Sequence, residues 1–151
     1  MTDPEPVRSG IMVPMSRNTP RRQLTGAELQ ARMEDNFYLI EGLAAYLRVN
    51  DRKLRQMMQD ERPIPEGFTT ELDQLTRITT QIINKLITST EENQHRHIPV
   101  WRTDAEFHTA DIPLPVPPGA GARWWRHVAH QAAQATGAQL RNIDYKRTEQ
   151  L

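Results

Sequence analysis

The chain has 151 residues, 11 prolines and no cysteine, with 19 Lys plus Arg against 19 Asp plus Glu. That length suits one ordinary domain or two very small ones, and balanced charge means that any nucleic-acid face must come from uneven placement. Without cysteine there is no disulfide framework or cysteine-based zinc site, which suits a reducing cytosol, and the short apolar runs predict neither a membrane span nor a secretory leader.

Residues 1–23 hold Pro4, Pro6, Pro14 and Pro20 without helical or strand period, and read as a flexible arm. The end of the arm carries Arg17, Arg21 and Arg22. It is either a solvated tail or a segment that touches DNA phosphates or the minor groove.

A first helix is expected to start at Thr25, because Thr25-Gly26-Ala27-Glu28 is a capping box and Leu24 and Leu29 have staple spacing. Leu29, Met33 and Phe37 continue it as one apolar stripe. A second helix is expected over 39–47, burying Leu39, Leu43, Ala44 and Leu47. Asn50 is then a good N-cap for a third over 51–59, which buries Leu54, Met57 and Met58 before Pro63 and Pro65 end the run. Residues 66–88 carry the longest periodic pattern, through Phe68, Leu72, Leu75, Thr79, Ile82 and Leu86, widened by Ile78 and Ile83. A helix of that length extends about 33 Å, so its last part could pack elsewhere, a second copy included.

Residues 89–97 are polar, with the linker proper at 91–97. Ile98-Pro99-Val100-Trp101-Arg102 suits a short strand, and Thr103-Asp104-Ala105-Glu106 is a second capping box opening a short helix. Residues 112–122 hold four prolines and two glycines and must be irregular. A last helix should run from near Arg123 to Gly137, a natural C′ residue, with Trp124, Val128 and Ala132 on one face and Trp125 beside them. A segment this short covers little aromatic surface by itself. Residues 98–151 are therefore expected to pack on the first half or on another subunit, and to form a small dimerisation domain using Trp101, Phe107, Trp124, Trp125 and Val128. No internal repeat is present.

The three short helices within 24–90 fit a helix-turn-helix. Ala44 is small where the second helix of the pair must cross, and Val49 can plug the turn. Asp51, Arg52, Lys53, Arg55 and Gln56 stay outside, near the end that meets base edges. Arg and Lys can donate to guanine O6 and N7, and Gln can pair with adenine N6 and N7. The expected base-contacting residues are Asp51, Arg52, Lys53 and Gln56. Arg48, Arg55, Arg62, Arg21 and Arg22 are expected nearer phosphates.

Leu43, Ala44, Leu47, Val49, Leu54 and Arg62-Pro63-Ile64-Pro65 resemble the lambda-repressor-like helix-turn-helix family over about 60 residues, 25–86. Three positions depart from its pattern: Arg48 stands where the turn glycine is usual, Asp60 where a glycine often follows the recognition helix, and Met57 where Trp is frequent. The leading Leu24–Ala31 stretch, the long fourth helix, Pro99–Phe107 and the Trp-containing last helix also look like the YdiL-type regulators, which include anti-CRISPR-associated autorepressors of phages and mobile elements. That resemblance implies a dimer on an inverted repeat.

Other chemistry has little foothold. His127 and His130 share a helical face, but no HExxH pattern accompanies them or His95, His97 and His108, so no metal site is expected. There is no P-loop, and Ser9, Ser16 and Ser89 lack a nucleophile context. The expected fold is mainly α: a bundle of four to five helices holding the helix-turn-helix, with a small α+β dimerisation element. The expected function is a non-enzymatic, cytoplasmic transcriptional regulator, a repressor by preference, which binds palindromic double-stranded DNA as a homodimer without cofactor, small-molecule ligand or membrane. The alternatives are a protein-interaction adaptor or antirepressor, and the antitoxin of a toxin–antitoxin pair.

Overall fold

The computed structural model describes residues 23–143. Arg17, Arg21 and Arg22 therefore lie outside the described residues. The order is α1 (Gly26–Asp35), α2 (Ile40–Leu47), α3 (Asp51–Met58), α4 (Gly67–Glu92), β1 (His97–Val100), α5 (Asp104–Thr109), α6 (Ala122–Thr136) and β2 (Gln139–Asn142). Among the described residues the protein is mainly helical, with one small parallel sheet.

Both expected capping boxes form, at Thr25–Glu28 and Thr103–Glu106, and Asn50 caps α3 by accepting from Lys53 N at 2.8 Å. The helix ends share a less expected feature. Phe37, Arg48, Asp60 and Gln94 all have positive φ, between 55° and 62°. Each is the left-handed residue of a Schellman ending. After α1, Tyr38 N donates to Met33 O and Phe37 N to Glu34 O. Val49 to Ala44 and Arg48 to Ala45 repeat the pattern after α2, Glu61 to Gln56 and Asp60 to Met57 after α3, and His95 to Thr90 and Gln94 to Glu91 after α4. Only α6 uses the glycine that such endings favour, Gly137 at φ 82°.

These endings correct several expectations. Phe37 is not on the α1 stripe. It lies beyond the helix and stacks on His127 of α6, ring centroids 4.0 Å apart. Leu39 is the N-cap of α2 and is 45% exposed rather than buried. The expected linker is partly helical, since α4 runs to Glu92 and buries Thr90 before β1 starts at His97.

One continuous core joins both halves of the chain. Leu29, Leu43, Leu54, Leu72 and Leu75 fill the part under α1–α3, and the packing of α4 on α6 extends it through Ile82, Trp124 and Val128. At 26 residues, α4 is about 39 Å long. It is the shared wall: its N-terminal part closes the three-helix unit and its later part carries α6. Trp124 Nε1 donates to Thr79 Oγ1 at 3.0 Å inside this contact, which explains a threonine at the missing step of the apolar pattern. Trp125 Nε1 donates to Pro99 O at 2.7 Å and ties α6 to β1.

Four of the five residues expected at a dimer interface are covered by their own chain. Phe107, Trp124, Trp125 and Val128 are at most 3% exposed, and Trp101 is half-buried against Phe107 and Trp125. The inference from uncovered aromatic surface thus fails for these side chains, because α4 and β1 supply the cover. A second strand, β2, also went unforeseen; it pairs in parallel with β1, Ile98 opposite Leu140.

Candidate nucleic-acid interface

Two eight-residue helices, α2 and α3, are joined by Arg48, Val49 and Asn50. Ala44 is buried and Val49 half-buried at the junction. Arg48 turns the chain at φ 62°, ψ 42°, a conformation that costs a residue with a Cβ about 1–2 kcal/mol. Its side chain is exposed.

Leu54 and Met57 point α3 into the core and fix which face remains outside. Successive residues are about 100° apart on a helix. Arg52 and Gln56 therefore fall opposite Leu54, with Lys53 and Arg55 on the two flanks. Asp51 is half-buried on the Met58 side, off that outer line. Gln59, the C-cap residue, is exposed and seven positions after Arg52, so it extends the same line. The sequence reading overlooked it because it sits at the helix end.

Polar partners differentiate these side chains. Arg52 and Lys53 have no side-chain hydrogen bond or ion pair among the described residues. Arg55 meets Glu41 of α2 at 3.5 Å, both more than half exposed, an ion pair that contributes little in water. Gln56, half-buried, accepts at Oε1 from Arg62 Nε at 3.0 Å, so the post-helix Arg62 reaches the outward line.

Between residues 48 and 62 there are five bases and three acids. One of the acids is withdrawn: Asp60 Oδ1 accepts from Gly26 N at 2.8 Å and closes the first turn of α1. The same approach explains Gly26, since a Cβ there would run into the carbonyl of Met58. An aspartate at position 60 thus tolerates the left-handed backbone and also braces α1 against the end of α3.

The far side of α2 is held by the proline-rich loop. Gly42 and Gly119 meet backbone to backbone, so that a Cβ on either would collide with the other's carbonyl oxygen. Tyr38 Oη donates to Pro118 O at 2.8 Å, and burial raises its phenol well above the ordinary tyrosine value, keeping it a neutral donor. Tyr46 Oη donates to Glu71 O at 3.1 Å. The α2–α3 pair is therefore pinned from both halves of the chain.

A concave surface lies beside α6, lined by Phe37, by Arg123, Arg126, His127, His130 and Gln131 of α6, and by Leu140 of β2. Burial, and then neighbouring His130, lower the His127 pKa below its ordinary value. Among the described residues, no three of His, Asp and Glu converge as a metal ion would require, and no helix is long and apolar enough to cross a membrane. Compared with known proteins, the chain matches no family model and no curated protein sequence.

Proposed function

We propose that the protein is a sequence-specific DNA-binding regulator, a repressor that reads an inverted-repeat operator as a homodimer, with no catalytic step. In this reading α2 and α3 are a helix-turn-helix and α3 enters the major groove. The observation that carries it is the division of labour on α3. Leu54 and Met57 lock one face into the core, while Arg52 and Lys53 stand outward without a side-chain partner among the described residues.

Arg52, Lys53 and Gln56 are assigned to base edges, with Gln59 extending their line and Asp51 at its margin. Arg48, Arg55 and Arg62 are assigned to phosphates, as are Arg21 and Arg22 of the arm. Arg55 can leave Glu41 cheaply because their ion pair is exposed. Arg62 must release Gln56, or carry it to the base as a pair. A single α3 reads only a few base pairs, so two copies about 34–36 Å apart on one face of the duplex are needed to specify a site.

The test is selection of bound duplexes from a random library, followed by titration of the winning sequence. Arg52→Ala and Gln56→Ala should each weaken binding by about 1–3 kcal/mol and relax the preference at one position. Neither should change the melting temperature much, because neither side chain builds the core. If both variants hold the selected DNA as tightly as the parent, α3 is not the reading helix.

A further inference from the structure

The two-stranded sheet has a blocked edge on β1 and, among the described residues, an unpaired edge on β2. Gln139 N donates to Arg96 O and Ile143 N to Val100 O. This phase turns the odd residues of β2 toward β1 and leaves the backbone groups of Leu140 and Asn142 facing outward. Neither has a partner there among the described residues. On the other side, β1 presents Pro99, which has no N–H and whose carbonyl already accepts from Trp125 Nε1 at 2.7 Å. Proline and an occupied carbonyl are how edges are protected from further pairing. Among the described residues β2 has no such protection.

We propose that the open β2 edge pairs antiparallel with β2 of a second copy across a two-fold axis, making a four-stranded sheet whose two outer edges are both Pro99-blocked. This deepens the regulator reading, on which the need for a two-fold partner rests. Self-pairing is favoured over a foreign strand because it uses the open edge of each copy and leaves only the protected edges outside. It is also isologous, the commonest closed symmetry.

Register follows from the side chains. Centring the axis on Leu140 sets Leu140 opposite its own copy, and Arg141 opposite the other copy's Gln139. Leu140 is half-buried on the sheet face it shares with Ile98, beside Phe37 and His127, so this register covers apolar with apolar. Centring on Arg141 would instead set two guanidinium groups directly opposite, which destabilises a strand pair. Centring on Asn142 would leave the two Leu140 side chains unpaired with each other. In the Leu140 register each Leu140 N–H meets the other Leu140 carbonyl, and each Asn142 N–H meets the other Ala138 carbonyl. The Ala138 N–H is already held by Thr136 Oγ1 at 3.3 Å and asks for no partner.

The full-length chain is the right object for the test. Sedimentation over a concentration series should show a monomer–dimer equilibrium. Gln139→Glu, which faces Arg141 twice across the axis, should tighten it, and Gln139→Arg should loosen it, each by about two- to thirtyfold. Position 139 is exposed, so both variants should fold as the parent does. Because the chain has no cysteine, single cysteines at 140, 141 and 142 report register directly. Leu140→Cys should cross-link under mild oxidation and Arg141→Cys and Asn142→Cys should not. A chain that stays monomeric, equal responses to Gln139→Glu and Gln139→Arg, or cross-linking through 141 or 142 instead would each overturn the proposal. A dimer linked through 140 that selects no DNA would support this interface and remove the reading of α3. A monomer that selects an inverted repeat would do the reverse.

Discussion

Replacing Arg48 with glycine tests the strain of the α2–α3 turn and the proposed DNA contact in one substitution. Arg48 occupies the left-handed region at φ 62° and its side chain is exposed, so its backbone strain is not offset by packing. Relief of that strain is worth about 1–2 kcal/mol. Glycine's larger freedom in the unfolded chain takes back about 0.5–1 kcal/mol. The net expectation is a gain of about 0.5–1 kcal/mol, or about 1–4 °C in melting temperature for a chain of this size. Gln94→Gly is the matched control, since Gln94 has φ 55° at the far end of α4, away from α3. Both variants should melt higher by calorimetry. Only Arg48→Gly should also lose affinity for the selected DNA, with the salt slope falling by about one phosphate contact. If Arg48→Gly melts no higher than Arg48→Ala, the turn is not strained as described. If its salt slope equals that of Gln94→Gly, Arg48 does not touch the backbone.

Three further substitutions test the packing. Gly42→Ala should destabilise by about 1–3 kcal/mol by forcing α2 off the Gly119 loop, although alanine is the better helix former; Gly67→Ala, where a Cβ meets nothing within 4 Å, should stabilise by about 0.4–1 kcal/mol, and chemical denaturation of the pair measures both. The lowered His127 pKa means that the unfolded chain binds its proton more readily, so this residue's share of stability is complete above the ordinary histidine value and is lost as pH falls through the lowered one; His127→Phe should keep the stack on Phe37 and flatten that part of the melting-temperature profile between about pH 7.5 and 5.

Helix starts were legible because capping is chemical and local: Thr25, Asn50 and Thr103 each accept from the backbone amide three positions on. Helix ends were less so: the expected ends of α2 at Leu47 and of α6 at Gly137 agree with the structure, but four endings use Phe37, Arg48, Asp60 and Gln94 where glycine is the usual signal. Each has a local reason or none. Phe37 gains a ring partner and Asp60 caps α1, whereas nothing in the structure compensates Arg48 or Gln94. The same blindness extended the α1 stripe through Phe37 and stopped α4 short of Glu92. Apolar period identified the outward face of α3, because Leu54 and Met57 fix it from one turn of sequence. It could not say what covers Trp124 and Trp125, since their partners, Thr79 and Pro99, lie 45 and 26 residues away. β2 has four residues and a single apolar side chain between its ends, too little pattern to announce a strand.

On the proposed reading of α3, the continuity of the core has a consequence for the spacing of half-sites. A reading head joined to a dimerising half by a flexible linker would accept half-sites at several spacings, because a linker of a few residues explores many separations at small cost. Here α4 passes without a break from the wall of the α1–α3 unit to the support of α6, and Gly42, Gly119, Tyr38 and Pro118 clamp α2 to the loop leading into α6. From α3 to the β2 edge the chain is one packed body, so a two-fold pairing at β2 fixes the distance and the rotation between two copies of α3. Half-site spacing should then be single-valued. Inserting about five base pairs between the half-sites puts the second on the opposite face of the duplex. This should reduce binding to that of one half-site, and inserting a full turn should not restore it, because the separation itself is then wrong. Gel-shift titration on the spaced series decides the matter. Recovery at one full turn would mean that the two reading heads move independently, and that the contact of α2 with the Gly119 loop opens when DNA binds.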